Sequence, residues 1–157
     1  MFKQFWAWIK GEKMDQNLDF GPIISKSEIN EELKKKIMHL ETTAEELCIK
    51  YQAIYKDPFE KKGKRNLQLW TARDIDGDES NQLTSSQCLE AEYRSLIAID
   101  YEGEPKLDEG FYRCTIELWY YYQGFSHNSG TGHLYISSVN QLEEEITETL
   151  ELLLNES

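Results

Sequence analysis

The feature that most limits the fold is a long apolar periodicity between residues 25 and 57. Ser25 followed by Glu28 is the pattern of a helix N-terminal capping box, and Asp57-Pro58 is typical of a helix end. Between them, apolar residues at every third or fourth position predict one helix over about residues 26–56. They are Ile29, Leu33, Ile37, Leu40, Ala44, Leu47, Tyr51 and Ile54. The stripe fits either a helix packed on a globular core or the seam of a coiled-coil dimer.

Four later segments alternate in side-chain polarity and predict β-strands: 66–73, 88–101, 111–122 and 133–137. We expect the second and third to pair as an antiparallel hairpin. Their core-facing rows are predicted to be Leu89, Ala91, Tyr93, Ser95, Ile97, Ile99 and Tyr101, and Cys114, Ile116, Leu118, Tyr120 and Tyr122. Ser138 and Gln141 then form a second capping pattern, and the apolar spacing after them predicts a final helix over 138–155.

This order of elements predicts a single α+β domain over residues 1–157. It comprises an N-terminal segment (1–24), a long helix (25–57), an antiparallel sheet of about four strands (65–137) and a C-terminal helix (138–155), with both helices on one face of the sheet. Residues 2–9 form a short aromatic segment, which we expect to dock on the protein's own core rather than on a membrane. The basic run of residues 59–66 is expected to be a solvated turn rather than a phosphate site.

The net charge of the chain limits the classes of molecule that it is expected to bind. The chain has 17 Lys and Arg against 29 Asp and Glu, a net charge of -12, and it has no Lys or Arg after Arg113. Such a field repels phosphate backbones and attracts cations, so we expect no nucleic-acid partner and a basic protein partner instead. Hydrophobic runs are too short for a membrane span. Cys48, Cys88 and Cys114 are odd in number and widely spaced, which favours buried thiols in a reducing cytoplasm.

The candidate partner-binding site is the sheet face that the helices leave open. If the apolar rows pack beneath the helices, the opposite rows combine carboxylates with aromatic anchors. The residues predicted there are Glu90, Glu92, Asp100, Glu117, Trp119 and Tyr121, and Asp76 and Asp78 of the adjoining acidic loop are added to the site. The alternative for Trp119 and Tyr121 is burial under the N-terminal segment.

The sequence matches metal-binding and catalytic motifs only weakly. The run from Asp74 to Glu79 resembles a calcium-binding loop, but the glycine and the twelfth-position glutamate fall in the wrong places. His127 and His133 flank a glycine-rich turn without a metal-binding spacing, and Ser126 beside His127 lacks a nucleophile elbow. We therefore expect no cofactor, no metal and no catalytic residues, and a small-ligand enzyme at the His127–His133 turn remains the third hypothesis.

The leading functional hypothesis is a cytoplasmic, non-catalytic inhibitor of the bacterial immunity or antitoxin type. A toxin that grips nucleic acid must be basic, and an acidic surface can occupy the same site. The alternative is an acidic dimeric chaperone for a secreted effector protein, in which the long helix or a strand edge forms the homodimer.

Overall fold

The computed structural model describes residues 23–24, 29–80, 82–103, 112–122 and 131–156. Within these ranges, two α-helices and six β-strands confirm the predicted α+β class, with two short strands added to the four expected. In chain order the elements are β1 (Ile23–Ile24), α1 (Glu31–Lys61), β2 (Arg65–Ile75), β3 (Asp78–Glu79), β4 (Tyr93–Glu102), β5 (Cys114–Tyr122), β6 (Thr131–Leu134) and α2 (Val139–Asn155). A 3-10 turn, Ser85–Gln87, precedes β4.

The strands form one sheet in the order β1-β6-β5-β4-β2-β3, and each neighbouring pair is antiparallel. The predicted hairpin of β4 and β5 is confirmed, with Ile97 opposite Ile116 and Ile99 opposite Cys114. Strand β4 begins at Tyr93 rather than near residue 88, because residues 88–92 form turns that lead into it. Ile23–Ile24, at the end of the N-terminal segment, for which no strand was predicted, pairs with β6.

Helix α1 is shifted relative to its prediction at both ends. Its N-cap is Asn30, whose side chain accepts a hydrogen bond from Leu33 N–H at 2.9 Å, whereas Ser25 and Glu28 lie outside the described residues. The helix also continues through Pro58 to Lys61. Proline removes only one hydrogen bond in the last turn, and the fully buried ring of Phe59 holds that turn on the sheet.

Both helices pack on one face of the sheet, as predicted. Residues of α1, α2 and the central strands share one hydrophobic cluster, to which Ile37, Ile97 and Ile146 each contribute a fully buried side chain. Ile54 was predicted to belong to the buried stripe of α1 but is 52% exposed, and Tyr55 and Phe59 extend the stripe instead. All three cysteines are free and buried, and burial raises the pKa of the Cys48 and Cys88 thiols to about 12.

A charged network joins α1 to the sheet inside this layer. The Glu41 carboxylate is fully buried and accepts hydrogen bonds from Tyr93 Oη at 2.8 Å and from Arg73 Nε at 2.8 Å. Arg73 also reaches the half-exposed Glu45 of α1 at 3.1 Å. Burial alone would lower the pKa of Arg73, but Glu41 outweighs it and the pKa is raised. The network is fully paired, which is what a buried charge requires.

Lys64 lies just after the C-terminal end of α1 and connects it to the end of α2. This buried side chain, expected in a solvated turn, donates hydrogen bonds to the backbone carbonyls of Leu153 and Glu156 at the end of α2. A cation at a helix C-terminus satisfies carbonyls that have no helical partner. At the other end of α2, Ser138 caps the helix by accepting from Gln141 N–H at 3.1 Å, as predicted. No helix in the described ranges is both long and apolar enough to cross a membrane.

Candidate functional site

The face of the sheet opposite α1 and α2, here called the open face, carries a small apolar cluster of its own. Ala72, Leu96 and Ala98 are buried at its centre, and the half-buried rings of Trp70 and Tyr112 pack against them. The two rings meet edge to face with centroids 5.2 Å apart. This is a favourable aromatic geometry, and it fixes the orientation of Trp70.

The Glu79 carboxylate of β3 forms a hydrogen bond with the aromatic pair. Tyr112 Oη donates to Glu79 Oε1 at 2.7 Å, and Glu79 is exposed. Burial, followed by this hydrogen bond, raises the pKa of Tyr112 to about 12, so its hydroxyl remains a donor at neutral pH. The aromatic centre of the open face therefore borders directly on negative charge.

A second group of charges lies next to the apolar centre. Arg94 Nε donates to Asp74 Oδ2 at 3.1 Å, and the Arg94 guanidinium lies 3.9 Å from Glu117 Oε1. Burial raises the pKa of the Glu117 carboxyl, and Arg94 only partly offsets this effect. One guanidinium thus faces the carboxyl groups of both Asp74 and Glu117.

Asp100 extends the negative charge along β4. Its side chain is 41% exposed, and its Oδ1 lies 4.0 Å from Arg113 Nε. Among the described side chains around the apolar centre, the acidic residues Asp74, Glu79, Asp100 and Glu117 outnumber the arginines Arg94 and Arg113 that contact them. An apolar, aromatic centre with excess negative charge around it suits a partner that is both cationic and apolar.

Two of the predicted anchors do not lie on this face. The pairing of β4 with β5 shifts where Ser95 faces Trp119 and Leu96 faces Glu117, so Leu118 is the extra residue of a β-bulge in β5. Trp119 is consequently fully buried in the main core, where its Nε1 donates to Cys88 O at 2.8 Å. Tyr121 also packs against the main core. The prediction that these two residues are surface anchors is wrong, because an inserted residue reverses the alternation of faces beyond it.

The same bulge overturns one core prediction. Tyr120 and Tyr122 were expected beneath the helices, but Tyr122 is 44% exposed and Tyr120 Oη donates to Glu92 Oε1 at 3.0 Å. Glu92 was expected in a strand and has a φ of 68° in the turn before β4. Glu90 is exposed in the same turn.

Asp76 and Asp78 belong to a tight β2–β3 hairpin rather than to a long acidic loop. Asp76 and Gly77 have φ values of 57° and 86°, as a two-residue type I′ turn requires. Asp76 N–H donates to Glu92 O at 3.1 Å, which brings this hairpin next to the turn holding Glu90 and Glu92. Four of the predicted site residues therefore meet at one end of the sheet, and Asp100 and Glu117 lie on its open face.

The geometry gives no support to the metal alternatives. The Asp74 carboxylate is occupied by Gly77 N–H, at 3.2 Å, and by Arg94. Among the described residues there is no group of three or more His, Cys, Asp or Glu side chains that could hold a metal ion. His127 lies outside those residues, and His133 stacks on Tyr135 with centroids 5.5 Å apart.

Sequence reasoning missed Trp70, Tyr112 and Arg94, which form the middle of the site. The signal for Trp70 was present, because Leu67 and Leu69 on alternate positions already provide the core-facing side of β2. No comparable signal marks Arg94, whose role depends on the cross-strand neighbours Asp74 and Tyr120.

No protein-family model, curated protein sequence or solved structure matches this chain.

Proposed function

We propose that this protein is a non-catalytic binding domain whose open face binds a basic protein. The observation that carries the proposal is the Trp70–Tyr112 pair, packed on a small apolar centre and bordered by Glu79 and Asp100. Aromatic residues in such settings are enriched among interface hot spots, and a ring of like charge directs the approach of a cationic partner.

The proposal extends to an inhibitor of the bacterial immunity or antitoxin type that acts in the cytoplasm on a nuclease-like toxin. Its support is electrostatic, since a surface built to bind phosphate is positively charged and an acidic sheet face is complementary to it. Glu90 and Glu92, together with Asp76 and Asp78, add exposed or half-buried carboxylates at the end of the sheet and enlarge the acidic surface.

The second candidate function is an acidic dimeric chaperone for a secreted effector. It is favoured by Ile49 and Ile54 of α1, which are 75% and 52% exposed. Contiguous exposed apolar patches mark interaction surfaces, and a dimer along α1 would use these two side chains as part of such a patch. Light scattering distinguishes the two candidates, because a monomer at micromolar concentration contradicts the dimeric chaperone.

The binding proposal is tested by capturing partners on immobilised protein from a lysate of the source cells, with elution in a salt gradient and identification by mass spectrometry. Wild-type protein is expected to retain a basic protein in equimolar amount and to release it at moderate salt. Trp70→Ala and Asp100→Lys are expected to weaken retention, because one removes the aromatic centre and the other reverses charge beside it.

The matched control is the pair Glu144→Lys and Glu148→Lys on the exposed side of α2, which makes the same kind of charge change on the opposite layer. These variants are expected to retain the basic protein better than Asp100→Lys does. Equal loss in both sets would show that net charge alone governs binding and would remove the open face as the site. The absence of any retained basic protein would contradict the function itself.

A further inference from the structure

Strand β2 has an almost free outer edge. In the sheet order it lies between β4 and β3, and β3 covers only Asp74 and Ile75. From Arg65 to Arg73, no strand among the described residues pairs with β2 on the side away from β4. Unpaired edges of this length are the places where an extended polypeptide can add a strand.

Two hydrogen bonds show which backbone groups point outward. Leu69 N–H donates to the Gln52 side chain of α1 at 2.8 Å, and Arg73 C=O accepts from Ser80 N–H at 3.2 Å. Neither group is directed at β4, so the residue between them, Thr71, also directs its N–H and C=O outward. Across the described ranges, neither group of Thr71 has a hydrogen-bond partner on this side.

Side chains on both faces define what an added strand would contact. Gln52 and Glu45 of α1 reach Leu69 and Arg73, so this flank of the helix follows the edge of β2. Ile49 lies on the same flank, one turn from each of them, and is 75% exposed. On the open face, an added strand would lie beside Trp70, with the Glu79 carboxylate nearby.

A second copy of this chain does not fit the edge by symmetric pairing of β2 with β2. Helix α1 lies over β2 and contacts its outer edge through Gln52. Paired strands are about 4.8 Å apart, whereas packed helices need about 8–10 Å between their axes. The two copies of α1 would therefore overlap, and an occupant without a covering helix is required.

We propose that the basic partner adds an extended segment to the outer edge of β2, pairing with Thr71. Side chains on one face of the segment are apolar and contact Ile49, and those on the other face are basic and contact Trp70 and Glu79. This proposal rests on the proposed function, because it takes the partner to be a basic protein. It adds the kind of segment with which that partner binds.

The test uses an acetylated and amidated octapeptide of alternating Val and Lys with the full-length protein. Amide hydrogen exchange measured by NMR is expected to slow about tenfold at Thr71 when the peptide is bound, since the N–H gains a partner. A peptide with the same sequence and N-methylated bonding amides is expected not to bind. If the peptide does not bind, or binds without slowing exchange at Thr71, the edge is not the site.

Thr71→Pro removes the outward N–H without removing a bond to β4, and proline is tolerated at such edge positions. It is expected to weaken peptide binding about tenfold, whereas Thr71→Val keeps the N–H and the affinity. Ile49→Asp, at an exposed position, provides a second variant that does not alter the backbone. Unchanged affinity in Thr71→Pro, with folding confirmed by circular dichroism, would overturn the proposal.

Failure of the edge and failure of the proposed function give different results. If the lysate partner is retained and released by salt but the octapeptide never protects Thr71, the open face binds its partner without strand addition. If the octapeptide protects Thr71 but binds equally well to Asp100→Lys, the edge is a site and the acidic face is not.

Discussion

At the residue scale, Trp119 shows how completely a neighbour can fix one side chain. Its indole is fully buried, donates to Cys88 O and lies directly over Gly132 of β6. A Cβ atom built on Gly132 would collide with the six-membered ring of Trp119. Glycine is required here by close approach, not by backbone conformation.

We expect Gly132→Ala to lower the free energy of unfolding by about 1–3 kcal/mol, the usual cost of overpacking a core. Urea denaturation measures this change. In a Trp119→Leu background the same substitution is expected to cost less, because the colliding ring is gone. An equal cost in both backgrounds would show that the indole is not the cause.

Glu117 is a carboxyl group of the open face whose ionisation is shifted by burial. Burial raises the pKa of its carboxyl above the ordinary 4.5, so the folded protein holds this proton more tightly than the unfolded chain does. The resulting stability is present at low pH and is lost as pH rises above about 4.5 through the raised pKa.

Glu117→Gln removes this loss, since the amide does not ionise. The melting temperature of Glu117→Gln minus that of wild type is therefore expected to be larger at pH 7 than at pH 4. Thermal unfolding followed by circular dichroism across this range measures the difference. A difference that stays constant with pH would show that the carboxyl is not destabilised by burial.

At the element scale, the buried Glu41 links α1 to the two strands beneath it. Tyr93 of β4 and Arg73 of β2 both donate to this single carboxylate. Neighbouring Glu45 reaches Arg73 too, but its side chain is 49% exposed. Both glutamates therefore pair with Arg73, but Glu41 is buried and also accepts from Tyr93.

Glu41→Ala is expected to lower the free energy of unfolding by about 3–5 kcal/mol, because it leaves the guanidinium and the hydroxyl without their buried acceptor. Glu45→Ala is the matched control and should cost less than about 1 kcal/mol. Chemical denaturation of both variants tests this order. Similar costs would mean that burial of Glu41 adds nothing to the pairing.

At the scale of the whole molecule, Lys64 connects the end of α1 and the start of β2 to the C-terminal helix. Its ammonium bonds the carbonyls that end α2, 89 to 92 residues further along the chain. Its neighbour Lys62 is exposed. One lysine of the basic turn is thus part of the tertiary structure.

Lys64→Met keeps the buried alkyl chain and removes the charge, and is expected to cost about 1.5–3 kcal/mol, the contribution of hydrogen bonds to a charged group. Amide exchange in the last turn of α2 should become faster in this variant. Lys62→Met should leave both quantities unchanged. Loss of stability without faster amide exchange in the last turn of α2 would show that Lys64 does not act by stabilising that turn.

The sequence by itself determined the class of fold, four of the six described strands, both helices and the burial of the cysteines. These depend on local periodicity and composition, which are visible in any single segment. It also predicted the excess of acid that favours a cationic partner, and Asp100 and Glu117 do lie on the open face.

Only the tertiary structure decided which aromatic side chains are available on that face. The bulge in β5 arises from the register of its pairing with β4, and it buries Trp119 while directing Tyr120 toward Glu92. The burial of Glu41 and Lys64 likewise depends on partners 32 to 92 residues away. Such choices have no local signal, because the free energy that settles them comes from contacts between elements.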